Sequence, residues 1–341
     1  MRRLFLTIVC LVAAASFVAD KPAGGHADAR SWAPTVERAG PVGRITFASD
    51  GRIYVVNVDG SNLQMIVDGS NAQQEGLELI LRRPESAAAP AFSPDGTQVA
   101  FIRDLDVWLV NADGSEQRLL GDVANFAPSP GASNNTIGAS SVAWSPDGTQ
   151  IAYTLARVGG SGISGLGVVD VATSSVRRFR GRSIESPIFM AVSWLPDDSL
   201  SIVPGTEGIA RIDPATGDEL SLAPLQKTAP WPTMVGESEQ GNWVAGSFVS
   251  EGAILYGAPG AMSQIAIGLS PTLSPDGEWV VYFKGETIRV VRTDGTDDRE
   301  VLDLAPLGGR NRHFGSVEDC RPLHQGASCS YRAPTLSWAM P

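Results

Sequence analysis

A chain of 341 residues, 43% hydrophobic and 18% charged, with 37 glycines and 23 prolines, suits many short strands joined by turns better than long helices. Its formal net charge of -11 and pI near 4.8 repel phosphate backbones and anionic lipid, and no Lys/Arg run overrides that balance. Nucleic acid is therefore excluded as an expected partner.

The N-terminus carries the parts of an export signal: Arg2 and Arg3, an apolar stretch from Leu4 to about Val18, then small residues. The stretch is too short to span a bilayer comfortably, so the mature chain is expected to have no membrane span. Cleavage after Ser16 or near Ala27-Asp28-Ala29 places the mature start between residues 17 and 30. Arg2-Arg3-Leu4-Phe5-Leu6 resembles a twin-arginine signal, whereas Thr7-Ile8-Val9 lacks the small residue that a lipid anchor on Cys10 needs. The expected location is extracytoplasmic, periplasmic or secreted, with the export signal and start of the mature chain over 1–29 and a linker over 30–42.

Strand patterns begin at Arg44-Ile45-Thr46-Phe47, continue through Ile53-Tyr54-Val55-Val56, and reach Leu63-Gln64-Met65-Ile66-Val67 after the turn Asn57-Val58-Asp59-Gly60-Ser61. A repeat follows. The stretch from Pro90 to Phe101, containing Ser93-Pro94-Asp95-Gly96, aligns with Val142 to Tyr153 and with Pro271 to Tyr282. Degenerate copies stand at Val192 to Asp198 and Val235 to Trp243. Each copy reads as a hairpin: Pro presets the turn, Asp bonds back to nearby amides, and Gly accepts a positive φ. A third strand such as Val107-Trp108-Leu109-Val110 and a second turn, Asn111-Ala112-Asp113-Gly114-Ser115, lead to Arg118-Leu119-Leu120, giving four strands per repeat. Thr293-Asp294-Gly295-Thr296 repeats the second turn, with looser versions from Asp170 and Asp213.

The first repeat lacks an innermost strand, and Pro334-Thr335-Leu336-Ser337-Trp338 repeats the Pro271-Thr272-Leu273-Ser274 of such a strand at the other end. The expected fold is therefore all-β: a six-bladed β-propeller of four-stranded antiparallel blades over 43–341, its first blade closed by the C-terminal strand. The Ser-Pro-Asp-Gly hairpins and Asp-Gly-Ser turns resemble the propeller repeats of the TolB family over residues 41 to 341. TolB has an α/β domain before its propeller, and here the Pro/Gly/Ala-rich stretch from Asp20 to Val42 stands in that place. The resemblance implies architecture more than function.

Catalytic groups are sparse. The histidines are His26, His313 and His324, too few for the clustered metal site of the similar oligogalacturonate-type lyases, and neither His313 nor His324 has triad support. No cofactor and no metal site are expected. Cys320 and Cys329, nine positions apart, suggest a structural disulfide in an exported chain; a metal pair would have His324 alone as company. Asp59, Asp95, Asp113, Asp147, Asp276 and Asp294 fall at turn positions, and Trp108, Trp144, Trp194, Trp243 and Trp279 recur within strands, which suits packing.

In a four-stranded blade both Asp-Gly turns lie at one end. The other end receives the second-to-third-strand loops, the crossovers at about 68–89, 121–140 and 306–332, and the Gly-rich loop 156–165, with a short helix expected over Gln73 to Arg83. Its candidate binding residues are Arg103, Asp104, Arg157, Glu207, Glu251, Lys284 and Glu286. The expected function is a non-enzymatic propeller engaging a protein or cell-envelope component through this long-loop face. The alternative is an extracytoplasmic hydrolase or lyase acting on carbohydrate or peptide with carboxylates at the channel mouth.

Overall fold

The computed structural model describes residues 40–69, 87–121, 137–157, 163–179, 191–202, 208–223, 234–246, 252–307 and 336–340. The export signal over 1–29, most of the linker over 30–42, the helix expected over 73–83, the histidines, and Cys320 with Cys329 lie outside these residues.

In chain order, the first sheet begins with β1 (Arg44–Ser49), β2 (Arg52–Asn57) and β3 (Gln64–Val67). The second comprises β4 (Ala88–Phe92), β5 (Gln98–Arg103), β6 (Asp106–Asn111) and β7 (Arg118–Gly121). The third comprises β8 (Ile137–Trp144), β9 (Gln150–Arg157), β10 (Ile163–Asp170) and β11 (Val176–Phe179). The fourth has β12 (Ser193–Trp194), β13 (Leu200–Ile202), β14 (Ile209–Ile212) and β15 (Glu219–Ala223). Then come β16 (Met234–Glu237), β17 (Trp243–Gly246), β18 (Gly252–Gly257), β19 (Ser263–Leu273), β20 (Trp279–Lys284), β21 (Thr287–Arg292) and β22 (Arg299–Asp303), which form one seven-stranded sheet. The last strand is β23 (Leu336–Ala339).

Within every sheet, consecutive strands pair antiparallel, and β23 joins the first sheet to give the order β23-β1-β2-β3. The pairing Arg44↔Ala339, Ile45↔Trp338, Thr46↔Ser337 and Phe47↔Leu336 thus brings the C-terminal strand onto the first strand, as the repeat pattern predicts. One difference concerns β19. The sequence pattern calls for an outer strand and then a separate inner strand at Pro271; instead Ser263–Leu273 runs continuously, its first half paired with β18 and its second with β20. A bulge between Leu269 and Thr272, with Ser270 at φ 51, redirects the strand without a crossover loop.

The hairpins owe their shape to side-chain bonds. Ser93 Oγ donates to Asp95 Oδ1 at 2.6 Å and accepts the Gln98 amide at 2.9 Å, while Asp95 Oδ1 also accepts the Thr97 amide at 3.0 Å. Ser145 with Asp147 and Ser274 with Asp276 repeat this arrangement. In the degenerate copy, Ser238 Oγ still accepts the Asn242 amide although Asp is missing. The second turns close similarly, with Asp59 and Asp113 each accepting an amide and a hydroxyl from the Ser two residues on.

Strands such as Ile53-Tyr54-Val55-Val56 are buried on both faces, so each must be covered twice. Apolar clusters supply that cover between successive sheets. Ile53, Val55 and Ile66 meet Phe92, Val99 and Phe101; Ile102 and Leu109 meet Val142, Ile151 and Tyr153; Leu166 and Val168 meet Leu200, Ile202 and Ile212. Ile209 meets Trp243 and Ala245, and within the seven-stranded sheet Val244 and Ile254 of its first half meet Val280 and Tyr282 of its second. Trp279, Val281 and Ile288 then meet Phe47, Val56 and Trp338, returning to the first sheet. Here the backbone comes very close: a Cβ on Gly60, at φ 84, would lie 2.5 Å from the Val301 carbonyl oxygen. Inner strands are also stitched sideways, the Phe92 amide donating to Ser337 Oγ and Thr272 Oγ1 to the Leu336 carbonyl, both at 2.9 Å.

Trp338 is 6% exposed and its Nε1 donates to the Val42 carbonyl. Trp338→Ala should cost about 3–5 kcal/mol in chemical denaturation, and removing residues 336–341 should lower the thermal midpoint of the whole domain. An unchanged midpoint would show that β23 does not support the fold.

Ser145→Ala strands the Gln150 amide and should cost about 1–3 kcal/mol. The Ser93 hydroxyl and Thr97 amide hold the Asp95 carboxyl below the usual carboxylate range, and Ser145 with Thr149 does the same for Asp147. A depressed native pKa contributes stability above the unfolded value, about 3.9, and that contribution is lost as pH falls through the native value. Urea midpoints should therefore show no contribution from these groups to pH dependence near neutrality and a loss in acid. Asp95→Asn with Asp147→Asn should flatten that acid slope.

Candidate functional site

At the end of the sheets opposite the Asp-Gly turns, β1–β2, β5–β6 and β20–β21 are joined by tight turns. Asp50 and Gly51 have φ of 48 and 77, and Asp104 and Leu105 have φ of 55 and 72. Positive φ at both central positions is the twist that lets a two-residue turn join right-twisted strands, and glycine is its usual second residue. Backbone bonds brace both turns against the next sheet: the Ala87 amide donates to the Gly51 carbonyl at 2.9 Å and the Ala139 amide to the Leu105 carbonyl at 2.7 Å.

The structure brings Arg103 and Asp104 together at one of these turns. Arg103 Nε lies 3.9 Å from Asp104 Oδ2, and the guanidinium carbon sits 5.6 Å from the centre of the Trp108 ring. Trp108 Nε1 donates to the Arg103 carbonyl at 3.1 Å and its ring stacks on Phe101 at 6.5 Å, so the indole that carries the guanidinium is itself anchored. Lys284 and Glu286 share a different turn, β20–β21, where both are exposed. There the Thr287 hydroxyl donates to the Lys284 carbonyl at 2.8 Å and the Leu304 amide to the Glu286 carbonyl at 2.9 Å. Arg157 ends β9 opposite Ile137, its side chain outside the described residues, as are Glu207 and Glu251.

Sequence reasoning missed an equivalent group in the first sheet. Arg52 Nε donates to Asp68 Oδ1 at 3.2 Å and Nη1 to Asp50 Oδ2 at 3.5 Å. Beside it, burial pushes the Tyr54 hydroxyl up, with the Arg52 charge opposing. The missing signal was positional: Ser49-Asp50-Gly51-Arg52 aligns with Arg103-Asp104-Leu105-Asp106 once the β1–β2 and β5–β6 hairpins are superposed by register.

These carboxylates sit beside arginines, an arrangement suited to recognition more than to proton transfer. Among the described residues, no group of three or more His, Cys, Asp or Glu is placed to hold a metal ion, and no helix is long and apolar enough to cross a membrane.

Residues 49–160 match the family model described as the dipeptidyl peptidase IV N-terminal region. Over 75% of this chain and 91% of the other, it is similar to a chain of the nidogen/laminin complex, with a TM-score of 0.51 and 10% identity. The fold is that of a β-propeller. A putative TolB from Agrobacterium tumefaciens is similar over 76% of this chain and 77% of that one, with 14% identity and a TM-score of 0.41. Oligogalacturonate lyase in complex with manganese is similar over 74% and 70%, with 10% identity and a TM-score of 0.45. No curated protein matches the propeller chain in sequence. At 10% identity the nidogen/laminin likeness speaks for fold and not for activity.

Ion pairs between partly exposed side chains contribute little to stability. Arg52→Gln and Arg103→Gln should each change the unfolding free energy by less than about 1 kcal/mol. Urea unfolding that shows a loss of several kcal/mol would assign these arginines to the scaffold instead.

Proposed function

We propose that the chain is an exported, non-enzymatic binding propeller that engages a protein or cell-envelope component from an extracytoplasmic location. The observation that carries this is the recurrence of an arginine–aspartate group at the same tight turn in the first two sheets, on one rigid face. Arg103, Asp104, Arg157, Glu207, Glu251, Lys284 and Glu286 are its proposed contact residues, joined by Asp50, Arg52 and Asp68.

The scaffold in this proposal is a six-bladed, TolB-like ring over 43–341, following an export signal over 1–29 and a linker over 30–42. The apolar clusters that pass from each sheet to the next and return to the first support the ring, with the two halves of β19 serving neighbouring blades. For Cys320 and Cys329, outside the described residues, the proposal is a structural disulfide.

Affinity capture from envelope extracts of the exporting cell tests the proposal, using the mature chain and its Arg52→Glu, Arg103→Glu variant. The mature chain should retain a defined protein or glycan set that the variant loses. Capture of nothing, together with turnover of a peptide or carbohydrate panel, would overturn it.

A further inference from the structure

The β5–β6 turn carries a cost that its scaffold role does not require. A non-glycine residue in the left-handed region costs about 1–2 kcal/mol. The corresponding turn of the first sheet avoids this cost with Gly51, whereas here Leu105 is held at φ 72. Burial does not explain the leucine, because its side chain is only partly buried. What the turn supplies to the rest of the fold is the Leu105 carbonyl, which accepts the Ala139 amide, and glycine would supply that equally.

Leu105 lies two residues from an arginine whose Nε lacks a hydrogen-bond partner among the described residues. Arg103 Nε is buried and makes no hydrogen bond among the described residues; its nearest carboxylate oxygen, at 3.9 Å, is beyond hydrogen-bond range. The Trp108 face sets the orientation of the guanidinium, and the side chain keeps 24% of its surface exposed. An oriented guanidinium matches a carboxylate with two parallel bonds. Arginine and tryptophan are also the residue types on which protein interfaces concentrate their binding energy.

Resting on the binding function proposed above, we infer that Arg103, stacked on Trp108 and flanked by Leu105, grips an acidic side chain next to an apolar one in a protein partner. The net charge of -11 does not forbid an acidic partner, because at physiological salt charges more than about 8 Å away are screened; Asp104, 3.9 Å from Arg103 Nε, lies inside that range, and the partner's carboxylate competes with it for the guanidinium.

A random-peptide display library selected on the mature chain tests this directly. Enriched peptides should place Asp or Glu beside Leu, Ile or Phe; a basic or uncharged consensus, or no enrichment, overturns the inference. A labelled consensus peptide should bind at least about tenfold more weakly to Arg103→Glu and measurably more weakly to Arg103→Lys, which keeps the charge and loses the fork. Leu105→Gly should weaken the peptide while leaving the thermal midpoint unchanged or raised. Unaltered peptide binding with a lowered midpoint would assign Leu105 to the fold and overturn its part. Preference for a uronic-acid oligosaccharide over the peptide also overturns the inference. If envelope capture still depends on Arg52 and Arg103 while no acidic peptide is selected, this inference fails and the binding function stands.

Discussion

A strand that is apolar on both faces leaves its sheet no side for water, and this requirement organises the molecule. Each sheet must lie between two others. A linear stack would then leave an uncovered sheet at each end, and an unpaired strand edge on the first. The pairing of β23 with β1 removes that edge, while the cluster around Trp279 and Trp338 covers the first sheet with the last described strands. The approach of Gly60 to the Val301 carbonyl oxygen shows how closely those two regions fit.

The same arrangement makes the ends of the sheets unequal. At one end, the Asp and Ser side chains of the hairpins bond to the backbone of their own turns, leaving the carboxylates engaged in holding the chain. At the other end, turns such as Arg103 to Asp106 are braced through backbone bonds to the following sheet. Their side chains are therefore carried on a fixed frame. Arg52 and Arg103 stand beside aspartates at that end, whereas Arg211, Arg289 and Arg292 pair with carboxylates nearer the Asp-Gly turns.

Much of the fold was legible because turn chemistry is local. Ser93-Pro94-Asp95-Gly96 contains nearly all the groups that close its own hairpin, so its copies at Ser145 and Ser274 announce themselves. Ser238 could be placed only by position, since its turn keeps the serine bond and lacks the aspartate. β19 was less legible: whether an outer strand stops before the next inner one begins depends on a single bulge at Ser270, which no composition rule marks.

The candidate face divides in the same way. Arg103 and Asp104 were readable because neighbours in sequence remain neighbours at a turn. Arg52 with Asp68, sixteen positions apart, needed the β2–β3 pairing to meet, and the Trp108 platform beneath Arg103 needed the β5–β6 register. The sequence by itself determined the repeat, the hairpin turns and the strand that returns to the first sheet, all of which depend on local bonding or on simple periodicity. Tertiary structure alone decided which sheets share a core, which charges meet and that Leu105 is held in a left-handed turn, because those follow from register and from backbone geometry imposed by distant strands.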